Sequence, residues 1–409
     1  RTNPDKRRKE EILLIPGVSE EAALVTAKNC YSPLQTDTFE PLGRKELLAK
    51  DIWHLIISNN IKSGEPGFIF IDNIEDNFTT KYFAQFNSVN PCGEIVLEKH
   101  GSCCLGSLNV ANFYDEAKND VDWSKLKRIT QIAVRALDNV LTVNRYPIPE
   151  TKEAATRGRR IGLGVMGLHY LLIKLGYTYG SKKSIEFLER FFATLRNEAY
   201  DASIDLANEK GAFPEFILDD YLDNPFIQKL PTRLIRKIKK FGIRNAAMLT
   251  IPPTGTTSMV AGVSSGLEPI FAPAYKRTYR KDGTQLEDLV MDRLFADYIS
   301  AGKDIAVFVG AYDVTPEEHL SVQVAAQEFI DNSISKTINV PADTTSEELE
   351  ELLLDFADHL KGVTVYREGS RGEEPLTRVS TSSMDVEEML KIAKKYTVNV
   401  ECENGTCEI

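Results

Sequence analysis

The sequence predicts an α/β fold with a largely parallel sheet or barrel. Two observations carry this: segments of helical period alternate with short β-branched and aromatic runs from residue 47 to 366, and the chain is long. At 409 residues, with 42% hydrophobic and 27% charged side chains, it can bury two or three domain cores or one large α/β barrel.

Residues 1–46 form an N-terminal segment with no assigned role, charged at first and then turn-rich, with Cys30-Tyr31-Ser32-Pro33 inside it. A main unit is expected over 47–376 and a tail over 377–409. Leu48, Ile52, Leu55 and Ile56 give helical spacing over 47–61; Ser63-Gly64-Glu65-Pro66-Gly67 breaks it before the strand-like 68–72. A helix is expected over 123–140, capped by Asp122 or Ser124, with Leu126, Ile129, Ala133, Ala136 and Val140 on its buried face. The longest periodic segment, 185–206, reads as one core-facing helix stopped by Gly211. In the basic run 233–244, isoleucines and a leucine line one face while the cations reach outward, which favours a solvated helix over a nucleic-acid patch. Strands are expected at 246–251, 306–309 and 363–366, and helices at 316–332 and 346–360. A Ser/Thr cluster at 380–383 precedes a small charged helix at 386–395 and the terminal Cys402-Glu403-Asn404-Gly405-Thr406-Cys407, which reads as a flexible arm carrying two thiols.

Composition excludes several classes. A net charge of −11 disfavours nucleic-acid and anionic-membrane partners, so phosphate recognition must be local. No apolar run approaches the ~20 residues that span a bilayer, and the first residues lack a signal-peptide core, so a cytoplasmic setting is expected. Six cysteines are too few for a disulfide scaffold in a chain of this length. The five histidines are scattered singly and none pairs with cysteines at zinc spacing. The chain begins with Arg1, which fits a fragment, a processed chain or one piece of a split protein.

Chemistry concentrates in Asn90-Pro91-Cys92-Gly93-Glu94. In an extended loop alternate side chains share a face, so amide, thiol and carboxylate would meet one small substrate; a loop with an incidental buried cysteine is the alternative. Pro253-Thr254-Gly255-Thr256-Thr257-Ser258 follows a strand candidate and offers backbone N–H groups that can hold a phosphate at a helix start, or simply cap that helix. Gly162-Leu163-Gly164-Val165-Met166-Gly167 matches G-x-G-x-x-G, yet the polar 156–160 stretch before it supplies no strand, so a dinucleotide site is disfavoured.

These blocks, in this order, resemble the catalytic chain of ribonucleotide reductases. The further blocks are Ser102-Cys103-Cys104-Leu105-Gly106-Ser107-Leu108-Asn109, Arg159 to Leu168, Gly266 to Ala272, Asp331 to Asn339, Gly362 to Arg371, and the terminal cysteines. The resemblance implies the C-terminal portion of a ten-stranded α/β barrel made of two five-stranded halves, with the radical cysteine on a finger loop. It implies that Cys92 abstracts the 3′ hydrogen of a ribonucleotide, that Glu94 takes the 3′-hydroxyl proton and that Asn90 holds the ribose hydroxyls. Cys103 would be half of the dithiol that supplies two electrons. Cys402 and Cys407 would re-reduce it and be recharged by a thioredoxin- or glutaredoxin-like donor; a zinc-binding pair is the alternative for them. Cys104 stands where the class II pattern commonly has asparagine, and its role stays open. The 159–168 glycines would serve close backbone packing, and 253–258 would hold the substrate phosphate.

Tyr366 is followed by Arg367, where class I enzymes usually carry two tyrosines. With Pro91, Gly93 and Gly255 this implies the class II pattern and adenosylcobalamin, the alternative being a separate metal-containing radical subunit. The family's other active-site thiol and specificity region lie far upstream, and only 89 residues precede Asn90. A complementing N-terminal half-barrel polypeptide is therefore expected, with a homo-oligomer also open; Cys30 is a poor match for the partner of Cys103. A non-catalytic remnant or binding subunit is the competing class.

Overall fold

The computed structural model describes residues 49–102, 104–281, 284–370 and 376–379, together with Met389 and Lys391. Parallel pairing runs through the centre of the unit. Strand Leu105–Asn109 pairs with Gly162–Met166, and Leu163 bridges to Leu249. Ile251 then bridges to Ile334, and that run continues into strand Thr337–Val340, which pairs with Gly362–Arg367. All four pairings are parallel, and each crossover between neighbouring segments contains helices, as a parallel sheet requires. The short strand Phe68–Ile69 closes one edge, antiparallel to Gly362 and Val363.

The expected α/β class is therefore observed. Helix Lys182–Lys210 starts on Ser181, whose side chain accepts from the Ser184 N–H, and ends at Gly211; Leu188, Phe192, Leu195, Ala199 and Leu206 face the main core. Helix Thr232–Phe241 buries Leu234 and Ile238 and turns Arg233 and Lys237 toward Asp201 and Asp205, the solvated basic helix that its spacing implied. Among the described residues no helix is long and apolar enough to cross a membrane.

Several sequence expectations are corrected. Helix Trp123–Val143, capped by Asp122, buries Leu126, Thr130, Val134, Leu137 and Leu141, whereas Val140 is 47% exposed. The helix carries two apolar stripes, and the core takes the one that also seats Asp138, which is ion-paired to Arg159 at 2.7 Å. Only Phe68–Ile69 of the expected 68–72 strand is extended, because a helix begins at Ile71. Residues 306–309 form no strand; Phe308 packs instead on Phe295 and Tyr298, each at 5.1 Å between ring centroids. Helix Pro316–Gln327 is shorter than expected, and Ser346–Phe356 ends in a 3-10 turn. Helix Pro149–Gly158 and the hairpin Ala274–Lys281/Thr284–Met291 were not foreseen. The Asp282-Gly283 pair in the sequence is a hairpin signal that would have found the latter. Strand Leu376–Arg378 pairs with this hairpin, and the expected 386–395 helix lies outside the described residues except for helical Met389 and Lys391.

Candidate active site

Residues 90–94 form the tip of a hairpin whose arms are Phe86–Val89 and Val96–Glu98. The tip is a tight turn and not the extended loop expected. Gly93 donates its N–H to the Asn90 carbonyl at 2.9 Å and has φ of 80°, a conformation that favours glycine. The Asn90 Oδ1 accepts from the Ile95 N–H at 2.9 Å, which closes the turn and leaves the amide Nδ2 without a partner among the described residues. Cys92 is exposed at the apex, while Glu94 is buried at the base, 2% exposed, with Oε2 lacking a hydrogen-bond partner among the described residues. Thiol and carboxylate are thus close in sequence yet differ sharply in solvation. Burial, and then the nearby Glu94, pushes the Cys92 thiol up from its ordinary value.

The hairpin is seated on the parallel strands through its main chain. The Glu94 carbonyl accepts from the Ser333 N–H at 2.9 Å and from Thr250 Oγ1 at 2.7 Å. Arg160 adds a second tie: its guanidinium donates to the Val96 carbonyl at 2.7 Å, to Asn332 Oδ1 at 3.0 Å and to Thr80 Oγ1 at 3.0 Å. Arg157 pairs with Glu98 further along the same arm.

Beside Cys92 lies a cavity of about 240 Å³ between the turn and the strand edge. Phe68, Ile69, Ile334 and Val363 give it apolar walls, Gly67 and Gly362 keep them flat, and Thr364 and Lys336 are its polar members. The Lys336 side chain is fully buried. It donates to Glu268 Oε2 at 2.7 Å, to the Thr337 carbonyl at 2.8 Å and to His319 Nδ1 at 2.9 Å. Three acceptors satisfy all three ammonium protons, which is what makes a buried cation tolerable. Desolvation lowers the Lys336 pKa, with Glu268 opposing it; burial and then Lys336 hold His319 down to about 3. His319 is neutral, with Nε2–H donated to the Ala311 carbonyl at 2.8 Å. Sequence reading assigned none of these three residues a role, since only the fold brings positions 268, 319 and 336 together.

The Pro253–Ser258 stretch turns into helix Gly255–Ala261. Thr254 sits at its N-cap with φ of 53° and uses Oγ1 to accept the Gly266 N–H at 2.8 Å. Gly255, Thr256 and Thr257 are exposed, and their N–H groups begin a helix, where no intrahelical carbonyl reaches them. Ser258 is buried and bonded to Ser265 at 2.7 Å, so it is structural.

The Gly162–Met166 strand explains the G-x-G-x-x-G match. A Cβ on Gly164 would stand 2.4 Å from the Thr250 carbonyl oxygen, and one on Gly162 2.5 Å from a Leu105 methyl. Both glycines let neighbouring strands approach, and they lie within a strand instead of after one. Cys104 is half-buried just before the Leu105–Asn109 strand, donating to the Leu137 carbonyl at 3.7 Å; burial raises its pKa, as does Asp138. Cys30, Cys103, Cys402 and Cys407 lie outside the described residues.

Residues 10–366 match the family model described as ribonucleotide reductase, barrel domain. A vitamin B12-dependent ribonucleoside-diphosphate reductase of Thermoplasma acidophilum is 32% identical over 399 residues, covering 89% of this chain and 50% of the relative. An enzyme of the same name from Mycobacterium tuberculosis is 33% identical over 351 residues, 80% of this chain and 48% of its own. A ribonucleoside-diphosphate reductase large subunit of Plasmodium falciparum is 30% identical over 255 residues, 58% of this chain and 31% of its own. The chain spans about half the length of the two B12-dependent relatives.

Proposed function

The chain belongs to the ribonucleotide reductase family through its barrel domain, and we propose that it reduces ribonucleotides to deoxyribonucleotides by thiyl-radical chemistry at Cys92. The observation that carries this is the pairing of an exposed thiol at a hairpin apex with a buried Glu94 carboxylate two residues on, whose Oε2 has no hydrogen-bond partner among the described residues. Desolvation and Glu94 favour the protonated thiol, which suits hydrogen-atom transfer and disfavours thiolate attack.

In this reading the Cys92 sulfur radical takes the 3′ hydrogen. Glu94, buried two residues on, removes the 3′-hydroxyl proton as general base. The Asn90 amide, whose Nδ2 has no partner among the described residues, holds a ribose hydroxyl. As the 2′-hydroxyl leaves as water, Cys103 and a second thiol are oxidised to a disulfide and supply two electrons; Cys92 then returns its hydrogen to carbon 3′. Cys402 and Cys407 reduce that disulfide by exchange, and an external thioredoxin- or glutaredoxin-like dithiol recharges them. The N–H groups at Gly255, Thr256 and Thr257, framed by Pro253, Thr254 and Ser258, receive the substrate phosphate.

The cavity beside Cys92 fits the uncharged nucleoside end of adenosylcobalamin: Phe68, Ile69, Ile334 and Val363 offer apolar surface, Thr364 offers a hydroxyl, and the Lys336 cation is already saturated by three acceptors. Phe68, Ile334 and Val363 would hold that group, which supplies single-electron oxidation when bound. The protein's part is to position Cys92 and exclude water from it. A complementing N-terminal half-barrel supplies the second thiol, and the setting is cytoplasmic. The chain is assayed with ribonucleotide, dithiol and adenosylcobalamin, alone and with a candidate complementing polypeptide. Cobalamin-dependent deoxynucleotide supports the proposal; product that needs a metal-containing radical subunit and ignores cobalamin overturns the cofactor assignment.

A further inference from the structure

We propose that Arg160 is the positioning residue that sets where Cys92 stands, by tying the thiol-bearing hairpin to the inner strands through one guanidinium. This rests on Cys92 being the reacting thiol. Three acceptors from three separate chain segments converge on the group: Thr80 Oγ1 before the hairpin, the Val96 carbonyl in its returning arm, and Asn332 Oδ1 beside the parallel strands. The Val96 bond holds the returning arm where it leaves the turn, the Thr80 bond ties in the segment that leads to the hairpin, and the Asn332 bond fixes both to the sheet. Asn332 is itself immobilised, since its Nδ2 donates to the Leu249 carbonyl at 3.0 Å. The guanidinium also lies 4.8 Å from the centre of the Phe78 ring, which fixes its plane.

Val96 is four residues from Cys92, and the Glu94 carbonyl between them is held by Ser333 and Thr250. Arg160 and this carbonyl form two points of attachment, so the turn cannot rock about either one. The acceptors are divided between the two terminal nitrogens of the fork, Nη1 for Thr80 and Nη2 for Val96 and Asn332, so the single nitrogen of a lysine at this position cannot stand in both places and leaves at least one acceptor unserved.

The test reads hairpin position without turnover, so it stands apart from whether the chain reduces ribonucleotides. The full chain, as Arg160→Ala and Arg160→Lys, is alkylated with iodoacetamide, Cys92 is followed by peptide mass spectrometry, and each variant's thermal melt is recorded beside it. Both variants are expected to label Cys92 at least about fivefold faster, the factor that loss of one net hydrogen bond gives, because a loosened turn carries the thiol away from the burial and the Glu94 carboxylate that keep it protonated. Millimolar methylguanidinium is expected to restore slow labelling in Arg160→Ala. Wild-type labelling of Cys92 in both variants overturns the proposal, as does acceleration accompanied by loss of the cooperative melt, which marks general loosening. Should Arg160→Ala fail to fold, Arg160→Lys decides by the same readout.

Discussion

Ser333 donates its backbone N–H to the carbonyl of Glu94 at 2.9 Å, so the carboxylate next to the candidate radical cysteine is seated by main chain and not by its own side chain. Thr250 completes the seat, its hydroxyl lying 2.7 Å from the Glu94 carbonyl and 3.1 Å from that of Ser333. Thr250→Val keeps the shape and removes the donor. Urea unfolding is expected to show a loss of about 1–2 kcal/mol, the cost of leaving a buried carbonyl short of a partner. An unchanged midpoint and slope would mean that the hairpin is seated elsewhere.

Two glycines separate packing from ligand binding. Gly164→Ala forces a methyl to within 2.4 Å of the Thr250 carbonyl, so strands must part, at a cost of roughly 1–3 kcal/mol or more. A Cβ on Gly255 meets nothing within 4 Å, and Gly255→Ala is expected to leave stability nearly unchanged. Its methyl would instead crowd a phosphate at the helix start and raise KM with little change in kcat. Paired thermal melts and steady-state kinetics on both variants check this contrast.

Buried histidines tie stability to pH. Desolvation lowers His169 from 6.5 to about 3, and burial with Lys336 does the same to His319. Their folded pKa values lie below the unfolded one, so between about pH 6.5 and pH 3 the unfolded chain binds protons that the native chain does not, and stability falls as pH drops. Each group contributes a slope of about 1.4 kcal/mol per pH unit where the difference is one full proton. His169→Asn, which keeps an acceptor for the Ile270 N–H, is expected to reduce the slope of stability against pH by about one proton in that window. Urea midpoints at a series of pH values measure it, and an unaltered slope contradicts the buried neutral assignment.

Glu94→Gln preserves size and the carbonyl seat while removing the base. Deoxynucleotide formation is expected to fall by about 10²–10⁴, with the fold unchanged by circular dichroism. A variant retaining more than a tenth of the rate would assign the proton transfer to another group.

The long Lys182–Lys210 helix and the alternating plan were legible because each is written in contiguous residues, a 3.6-residue period and a break at Gly211, and the 90–94 motif stood out as a candidate site although its tight turn did not. What stayed hidden depends on pairing across the fold. Lys336, Glu268 and His319 belong to separate segments, and nothing local in 266–272 or 331–339 announces a shared ammonium. Helix Trp123–Val143 offers two apolar stripes, and the choice between them was made by buried Asp138 meeting Arg159. Residues 306–309 have strand composition but no strand beside them, so aromatic packing on Phe295 decided their conformation. The G-x-G run lay inside a strand, where its glycines answer to Thr250 and Leu105 instead of to a phosphate.

The central claim is that the Cys92 sulfur carries the radical that starts reduction. It is tested most directly by comparing wild type with Cys92→Ala in a single assay holding ribonucleotide, a small dithiol, adenosylcobalamin and the complementing polypeptide. Deoxynucleotide formed by the wild type and absent from the variant, with equal melting profiles, is the predicted result. Product formed at comparable rates by both proteins would contradict it.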